Sequence, residues 1–284
     1  MAKDTIFSSK TTLNLRGNLV DISTPIVMGI LNITPDSFHS GSRIDSDKHL
    51  LSQAEKMLAD GATILDVGGY SSRPSAADIS TEQELKRVIP SIEQLSRTFP
   101  GANISIDTFR STVAEAAMNA GASMINDISG GMLDENMFEV VAKCNAAYIL
   151  MHMRGTPQSM SKMTDYDNLL IDLTDFFVSQ TSKLKTLGVS DIILDPGFGF
   201  SKNITQNYEI LKYLQYFQQL NLPLLAGLSR KSMIYKSLDI LPDQALNGTT
   251  VLNTIALMNG AQILRVHDVK EAIEAVKLYK AVYL

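Results

Sequence analysis

Cysteine is almost absent from this chain of 284 residues, which contains only Cys144. A single thiol cannot form an internal disulfide or a cysteine-based metal cluster, so both are excluded. Cys144 lies within a helical pattern, and we expect a half-buried structural thiol there.

Long apolar runs and strongly charged runs are also missing. No run reaches the roughly 18 uninterrupted apolar residues of a membrane helix, and the first residues lack the apolar core of a signal peptide. We therefore expect a cytoplasmic protein without a membrane partner. The net charge is −5 and no basic run occurs, which argues against a nucleic-acid partner, although a few local cations would suffice for a small anion.

What the chain does contain is a regular alternation of short apolar runs and longer amphipathic segments. We predict strands at residues 26–31, 63–67, 103–107, 123–127, 147–151, 191–195, 222–226 and 262–266. Their brevity and lack of a period of two are typical of parallel strands buried on both faces. We predict helices at residues 47–60, from residue 81 onward, and at 110–119, 135–143, 168–187, 207–220, 243–258 and 269–281.

Eight strand–helix rounds in fewer than 300 residues favour a closed (β/α)8 TIM barrel over an open doubly wound sheet. Before the first round, residues 12–15 and 19–22 flank the turn-forming sequence Arg16-Gly-Asn18. This pattern predicts an N-terminal β-hairpin that caps the barrel bottom. No linker or low-complexity stretch interrupts the chain, so we predict a single α/β domain over residues 1–284.

Polar residues follow the predicted strands at the points where they end, which is the active-site end of such a barrel. Asp107, Asn126 and Asp195 follow strands three, four and six. Each alone could cap a helix, and His152, after strand five, is best interpreted as a core histidine. Together, two carboxylates and a carboxamide at one mouth suit the N–H and NH2 edge of an aminopyrimidine.

Cationic residues follow the last two strands, where barrels frequently bind phosphate. Strand seven leads into Ser229-Arg-Lys-Ser232, and strand eight leads into Arg265 and His267. Asn32, after strand one, is brought next to strand eight by the barrel closure. The three elements predict a diphosphate site, where Asn32 is also available to Mg2+, a cation that takes few protein ligands and several phosphate oxygens.

Five motifs follow one another along the chain. They are Asn32-Ile-Thr-Pro-Asp-Ser-Phe38, Ser71-Ser-Arg-Pro74, Asp195-Pro-Gly-Phe-Gly-Phe-Ser-Lys202, Ser229-Arg-Lys-Ser232 and Arg265-Val-His-Asp268. In their order and spacing they resemble the dihydropteroate synthases, a pterin-binding family, over roughly residues 12–284. The resemblance implies a transferase of folate biosynthesis that joins 7,8-dihydropterin-6-ylmethyl diphosphate to 4-aminobenzoate by dissociative displacement of diphosphate. It also implies Mg2+ as cofactor, a homodimer, and competition between sulfonamides and aminobenzoate.

The same resemblance implies roles for individual residues. The pterin-binding groups would be Asp107, Asn126, Asp195 and Lys231, with Met151 and Gly227 lining the pocket. The diphosphate groups would be Asn32, Arg265 and His267, with Asn32 as the metal ligand. The aminobenzoate region would contain Phe38, Ser72, Arg73, Pro74, Phe200 and Ser232. The catalytic groups would be Lys231, Arg265, His267 and Asp107.

Two loops depart from the family pattern, since Ser40 replaces an Asp, and Tyr70 and Ser75 replace a Glu and a Gly. These changes bear on loop closure and on sulfonamide sensitivity. Two alternatives stay open. A corrinoid methyltransferase that binds methyltetrahydrofolate would share the Asp/Asn set, but it needs no diphosphate site such as Arg265 and His267 provide. A non-catalytic pterin-binding paralogue is supported only by the altered loops.

Overall fold

The structure of the chain, a computed structural model, describes residues 10–33, 43–71 and 78–284. The strands in these ranges are β1 (Thr12–Leu15), β2 (Asn18–Asp21), β3 (Ile26–Asn32), β4 (Ile64–Gly68), β5 (Asn103–Asp107), β6 (Met124–Asp127), β7 (Ala147–Met151), β8 (Ile192–Asp195), β9 (Leu225–Ala226) and β10 (Ile263–Val266). The helices are α1 (Arg43–Ala59), α2 (Thr81–Thr98), α3 (Ser111–Ala120), α4 (Met137–Lys143), α5 (Leu169–Thr186), α6 (Ile204–Lys212), α7 (Ser232–Ser237), α8 (Leu246–Met258) and α9 (Val269–Tyr283).

Eight of the strands form one parallel sheet in the order β8-β7-β6-β5-β4-β3-β10-β9. The two ends of this sheet also meet: the amide of Leu194 donates to the carbonyl of Pro223 at 2.8 Å, and Leu194 forms a bridge with Leu224. The sheet is therefore a nearly closed barrel with flanking helices, which confirms the predicted fold class.

The N-terminal hairpin formed by β1 and β2 closes the bottom of this barrel, and we call it the hairpin floor. Its turn residues Arg16 and Gly17 both have positive φ, 55° and 89°, as a tight two-residue hairpin requires. The side chains of Leu13 and Leu15 are buried in one cluster with the barrel-interior residues Met28, Ile64, Met124 and Ile193. The predicted hairpin and its place in the barrel are confirmed.

Three elements differ from the sequence prediction. The helix expected over residues 207–220 is α6, which begins earlier because the Asn203 and Gln206 side chains each accept the other's backbone N–H at 2.9 and 2.8 Å; a 3-10 segment over residues 214–220 follows it. The strand expected over residues 222–226 is β9, which is only two residues long, since Pro223 has no N–H to donate to a strand ladder. Helix α7 was not predicted.

Helices α8 and α9 pack together and expose apolar side chains. Val251, Ile255 and Met258 on α8 are 50%, 36% and 55% exposed, and Leu278 and Val282 on α9 are 70% and 72% exposed. These five residues, which we call the α8–α9 face, lie on the surface and not against the barrel. Among the residues that the structure describes, no helix has the length and apolarity to cross a membrane.

Candidate active site

A charged network lies at the carboxyl end of the barrel strands, and Arg265 is at its centre. Its Nη2 lies 2.6 Å from both Asp66 Oδ2 and Asp107 Oδ2, and its Nε donates to Asp66 Oδ2 at 2.7 Å. The Asn126 amide donates to the same Asp66 oxygen at 3.0 Å. We call these four residues the Arg265 network. The barrel brings them together because β4, β5 and β6 are neighbours and β10 joins β3.

Asp66 is the member of this network that the sequence prediction did not include. Its side chain is fully buried, and its Oδ1 has no hydrogen-bond partner among the described residues. A buried carboxylate is costly unless it is paired, so Asp66 depends on Arg265 and Asn126. The available signal was its position near the end of β4, which resembles that of Asp107 at the end of β5.

The network contains a carboxyl group that titrates near neutral pH. Burial raises the pKa of Asp107 to about 7, with Asp66 raising it further and Arg265 opposing the shift. Burial alone would lower the pKa of Arg265, but Asp66 and Asp107 outweigh it and hold that pKa above its usual value.

A second charged pair, Asp195 and Lys231, lies beside the network. Asp195 ends β8, is 4% exposed, and accepts the Gly197 N–H at 2.8 Å. Burial raises the pKa of Asp195, and Lys231 opposes this shift. Burial lowers the pKa of Lys231 to about 8, and Asp195 opposes that change in turn. Each group thus stabilises the charged form of the other.

Apolar and small residues lie around the charged groups of Lys231 and Asp195. Phe200 packs against a buried cluster that includes Met151, and its ring centre lies 4.9 Å from Lys231 Nζ. The Lys231 ammonium also donates to the carbonyl of Phe198. A Cβ at Gly227 would lie 3.7 Å from Lys231 Nζ and 4.0 Å from Asp195 Oδ2. Any larger residue at position 227 would therefore enter the space between the two charges.

The predicted diphosphate groups occupy the adjacent strand ends. His267 Nδ1 lies 3.0 Å from Ser229 Oγ, which also accepts the His267 amide at 3.2 Å. By contrast, Arg230 is paired with Asp268 through two hydrogen bonds of 2.9 and 2.7 Å. This pair joins the loop after β9 to the loop after β10. Ser232 is half-buried at the start of α7, directly after Lys231.

Asn32 is placed where it could help to hold a cation. A Cβ at Gly68 would lie 3.6 Å from Asn32 Oδ1 and 3.7 Å from Asp107 Oδ2, so both oxygens face the same space. In the described ranges no three His, Cys, Asp or Glu side chains form a metal-binding group. A few hard oxygen donors fit Mg2+ when phosphate oxygens and water supply the remaining ligands.

Phe38, Ser72, Arg73 and Pro74, together with the variant positions Ser40 and Ser75, lie outside the described residues. The other variant position, Tyr70, is buried. Its ring packs edge-on against Phe109 at 5.1 Å, and its hydroxyl accepts a hydrogen bond of 2.8 Å from Gln158. Tyr70 therefore serves as a packing residue, in place of the carboxylate usual at this position of the family pattern.

The chain is similar in sequence and in fold to proteins of known family. The sequence profile of the family described as pterin binding enzyme matches residues 28–267. The dihydropteroate synthase of Escherichia coli (strain K12) is 43% identical over 272 residues, which cover 94% of each chain. The crystal structure of the Yersinia pestis dihydropteroate synthase with a sulfonamide drug has a TM-score of 0.89 at 42% identity, covering 95% of this chain and 98% of that one. The Xanthomonas albilineans dihydropteroate synthase with 4-aminobenzoic acid also has a TM-score of 0.89, at 35% identity, covering 96% of this chain and 98% of that one. Because the family profile matches most of the chain and these relatives share its fold over nearly its whole length, the chain belongs to the pterin-binding enzymes and, among them, to the dihydropteroate synthase family.

Proposed function

We propose that the chain condenses 7,8-dihydropterin-6-ylmethyl diphosphate with 4-aminobenzoate to form 7,8-dihydropteroate and pyrophosphate. Dihydropteroate synthases are transferases of folate synthesis, and the similarity covers nearly the whole chain. The observation that carries the proposal is the meeting of carboxylate acceptors and cationic groups at one end of the barrel. The Arg265 network and the Asp195–Lys231 pair supply both kinds of group at the carboxyl end of the strands.

Pterin recognition is assigned to Asp107, Asn126 and Asp195. Their oxygens accept hydrogen bonds from the N–H and NH2 edge of the pterin, and charge-assisted bonds of this kind are the stronger ones. The pterin then competes with Arg265 for Asp107, whereas Asp66 Oδ2 keeps its contacts with both Nε and Nη2 of the guanidinium. Arg265 thus stays oriented while one of its N–H groups becomes available to the substrate.

The chemical step is a displacement at the pterin methylene carbon. The C–O bond to diphosphate breaks, the aminobenzoate nitrogen forms the new C–N bond, and that nitrogen then loses a proton to solvent. Negative charge grows on the leaving diphosphate, where Arg265 and His267 stabilise it, and positive charge on the methylene is stabilised by Asp107 and Asp195. Mg2+, held by Asn32 and diphosphate oxygens, would neutralise further charge on the leaving group.

The direct test is to incubate the protein with the pterin diphosphate, 4-aminobenzoate and Mg2+, and to follow pyrophosphate. We expect release that requires both substrates and is inhibited competitively against aminobenzoate by a sulfonamide. Pterin binding without release would identify a non-catalytic paralogue. Methyl transfer from methyltetrahydrofolate to a corrinoid would identify the methyltransferase alternative.

The two perturbed pKa values predict a bell-shaped pH profile for kcat/KM of the pterin substrate. Asp107 must be ionised to accept the pterin donors, so activity rises as pH increases through about 7. The family resemblance assigns Lys231 to the pterin, to which its ammonium would donate a hydrogen bond, so activity falls as pH increases through about 8. Initial rates between pH 5.5 and 9.5 measure this. In Lys231→Arg the alkaline limb should disappear, and an unchanged limb in that variant would show that another group causes it.

We also propose a cytoplasmic homodimer that associates through the α8–α9 face, because two adjacent helices expose five apolar side chains there. Light scattering should give twice the mass of one chain for the wild type. The double substitution Val251→Glu, Met258→Glu should reduce the measured mass to that of a single chain. Leu19, 71% exposed on the hairpin floor, is the control position: Leu19→Glu should leave the mass unchanged. A wild-type monomer would contradict the proposal.

A further inference from the structure

Lys202 is the one charged residue of the motif 195–202 to which the proposed reaction gives no role. Its side chain is buried, and only 7% of its surface is exposed. Its Nζ donates to three backbone carbonyls, those of His152, Gly197 and Phe200, at 3.3, 3.2 and 3.0 Å, and lies 3.1 Å from His152 Nδ1. No carboxylate is among these partners. The ammonium is thus held by uncharged acceptors, as a bound cation would be.

Burying an ammonium group costs free energy unless hydrogen-bond acceptors or an opposite charge compensate for the lost water. Burial lowers the pKa of Lys202 well below its usual value, and Asp195 opposes the change. Burial also lowers the pKa of His152, together with the charge of Lys202, so the neutral ring accepts the ammonium N–H. We call these four acceptors, the three carbonyls and His152 Nδ1, the cage. Without Lys202, the carbonyls of Gly197, Phe200 and His152 would each lose this donor.

The backbone around the cage is bent so that these carbonyls face inward. Gly197, Gly199 and Ser201 have φ values of 71°, 81° and 46°, which are left-handed. A Cβ at Gly197 would clash with the carbonyl oxygen of His152. Glycine adopts this conformation without steric cost, whereas Ser201 keeps it only where the surroundings over-determine it. The Lys202 ammonium is one such determinant, since it joins the loop after β8 to the loop after β7.

The loop that Lys202 holds carries Phe200, the aromatic residue beside Lys231. The backbone of Asp195, by contrast, is held in the strand ladder, because its carbonyl accepts the amide of His152 at 3.0 Å and the residue pairs with Met151. Its connection to the Lys202 acceptors is the bond from the Gly197 N–H to its side chain. Removal of the ammonium should therefore disturb the position of Phe200 more than that of Asp195.

We propose that Lys202 is a positioning residue whose ammonium joins the loops after β7 and β8 and thereby sets Phe200 at the aminobenzoate side of the pocket. This inference rests on the proposed function for its kinetic consequence, but the cage itself can be tested without activity.

The kinetic test is Lys202→Met, which keeps most of the side-chain volume and removes the donor. We expect the KM for aminobenzoate to rise about tenfold or more, and kcat to fall, because misplaced binding groups are costly to catalysis. The KM for the pterin diphosphate should stay within about twofold, because Asp195 is held by the β8 ladder. Lys183→Met, at an exposed lysine of α5, should change neither constant. Equal losses for both substrates, or wild-type constants, would overturn the proposal.

His152 provides a second pair of variants in case Lys202→Met does not fold. His152→Asn can present an oxygen acceptor near the position of Nδ1, whereas His152→Leu cannot. We expect the aminobenzoate KM of the Asn variant to lie closer to that of the wild type than the KM of the Leu variant. Identical constants for the two variants would show that the acceptor at position 152 is unimportant.

Chemical rescue tests the cage independently of turnover. In Lys202→Ala, added ethylammonium should raise the thermal midpoint in a saturable manner, and ethanol at the same concentration should not. The wild type, whose cage is filled, should show no such rise, and neither should Lys202→Met. Absence of rescue by ethylammonium would refute the cage, whereas a wild-type protein without synthase activity but with normal rescue would refute the proposed function alone.

Discussion

Arg265→Ala should abolish detectable turnover and also lower the free energy of unfolding by about 3–5 kcal/mol, the usual cost of removing one partner of a buried ion pair. Turnover is lost because Arg265 is the guanidinium assigned to the leaving diphosphate. Stability is lost because Asp66 is fully buried and receives both its ion pair and its Nε hydrogen bond from this residue. Pyrophosphate release and urea unfolding measure the two effects separately.

The matched control is Arg265→Ala combined with Asp66→Asn. An amide at position 66 carries no buried charge, so the double variant should regain much of the lost stability but none of the turnover. From the sequence alone, Arg265→Ala would be expected to leave the fold intact, and Asp66 is the reason for the revised expectation. A single variant as stable as the wild type would show that Asp66 does not depend on Arg265.

Lys231→Ala should reduce kcat/KM by about 10²–10³-fold, the range found when one preorganised donor is removed from a charged transition state. It should also lower the thermal midpoint, because Asp195 is 4% exposed and loses the neighbouring cation. The loss should be smaller than for Arg265→Ala, since Arg265 contacts Asp66 directly at 2.6 Å whereas Lys231 donates to a backbone carbonyl. The Lys231 ammonium donates to the backbone carbonyl of Phe198, and Asp195 keeps the N–H of Gly197 after the substitution. Steady-state kinetics and the thermal midpoint, measured on the same preparation, provide the comparison.

Arg230→Ala is the control for this substitution, because it removes the neighbouring cation of the same motif. Arg230 is bound to Asp268 at the surface and has no place in the proposed reaction. Its loss should leave most of the turnover, since partly exposed ion pairs contribute about 0–1 kcal/mol. Comparable losses at positions 230 and 231 would mean that the loop as a whole, and not the Lys231 ammonium, supports the reaction.

The alternation of apolar runs and helices was sufficient to predict the barrel, because each parallel strand needs a helical crossover. Strand-end placement likewise located Asp107, Asn126 and Asp195, which the structure places at the carboxyl end of the barrel strands. Asp66 was missed because its significance depends on Arg265, which lies 199 residues away in the chain. The contact between Asp66 and Arg265 forms only because the barrel brings β10 beside β3.

His152 and Lys202 show the same limit at shorter range. The interpretation of His152 as a core histidine is confirmed, since it is buried and its ring packs edge-on against Phe176 at 5.0 Å. Its partner was not predictable, because Lys202 lies 50 residues further along the chain. Composition alone favours an exposed lysine, and only the inward carbonyls of the loop after β8 make a buried one favourable.

Within the described residues, the hairpin floor closes the end of the barrel opposite the reactive groups. In the proposed assignment Asp195 is almost fully enclosed, whereas Phe200 and Ser232 are only partly covered. In this assignment a pterin at Asp195 lies deeper than an aminobenzoate beside Phe200, and we expect it to bind first. For the same reason we expect the pterin end of the product to leave last, so the closed end of the barrel would impose an order of binding and release that the chemistry alone does not require.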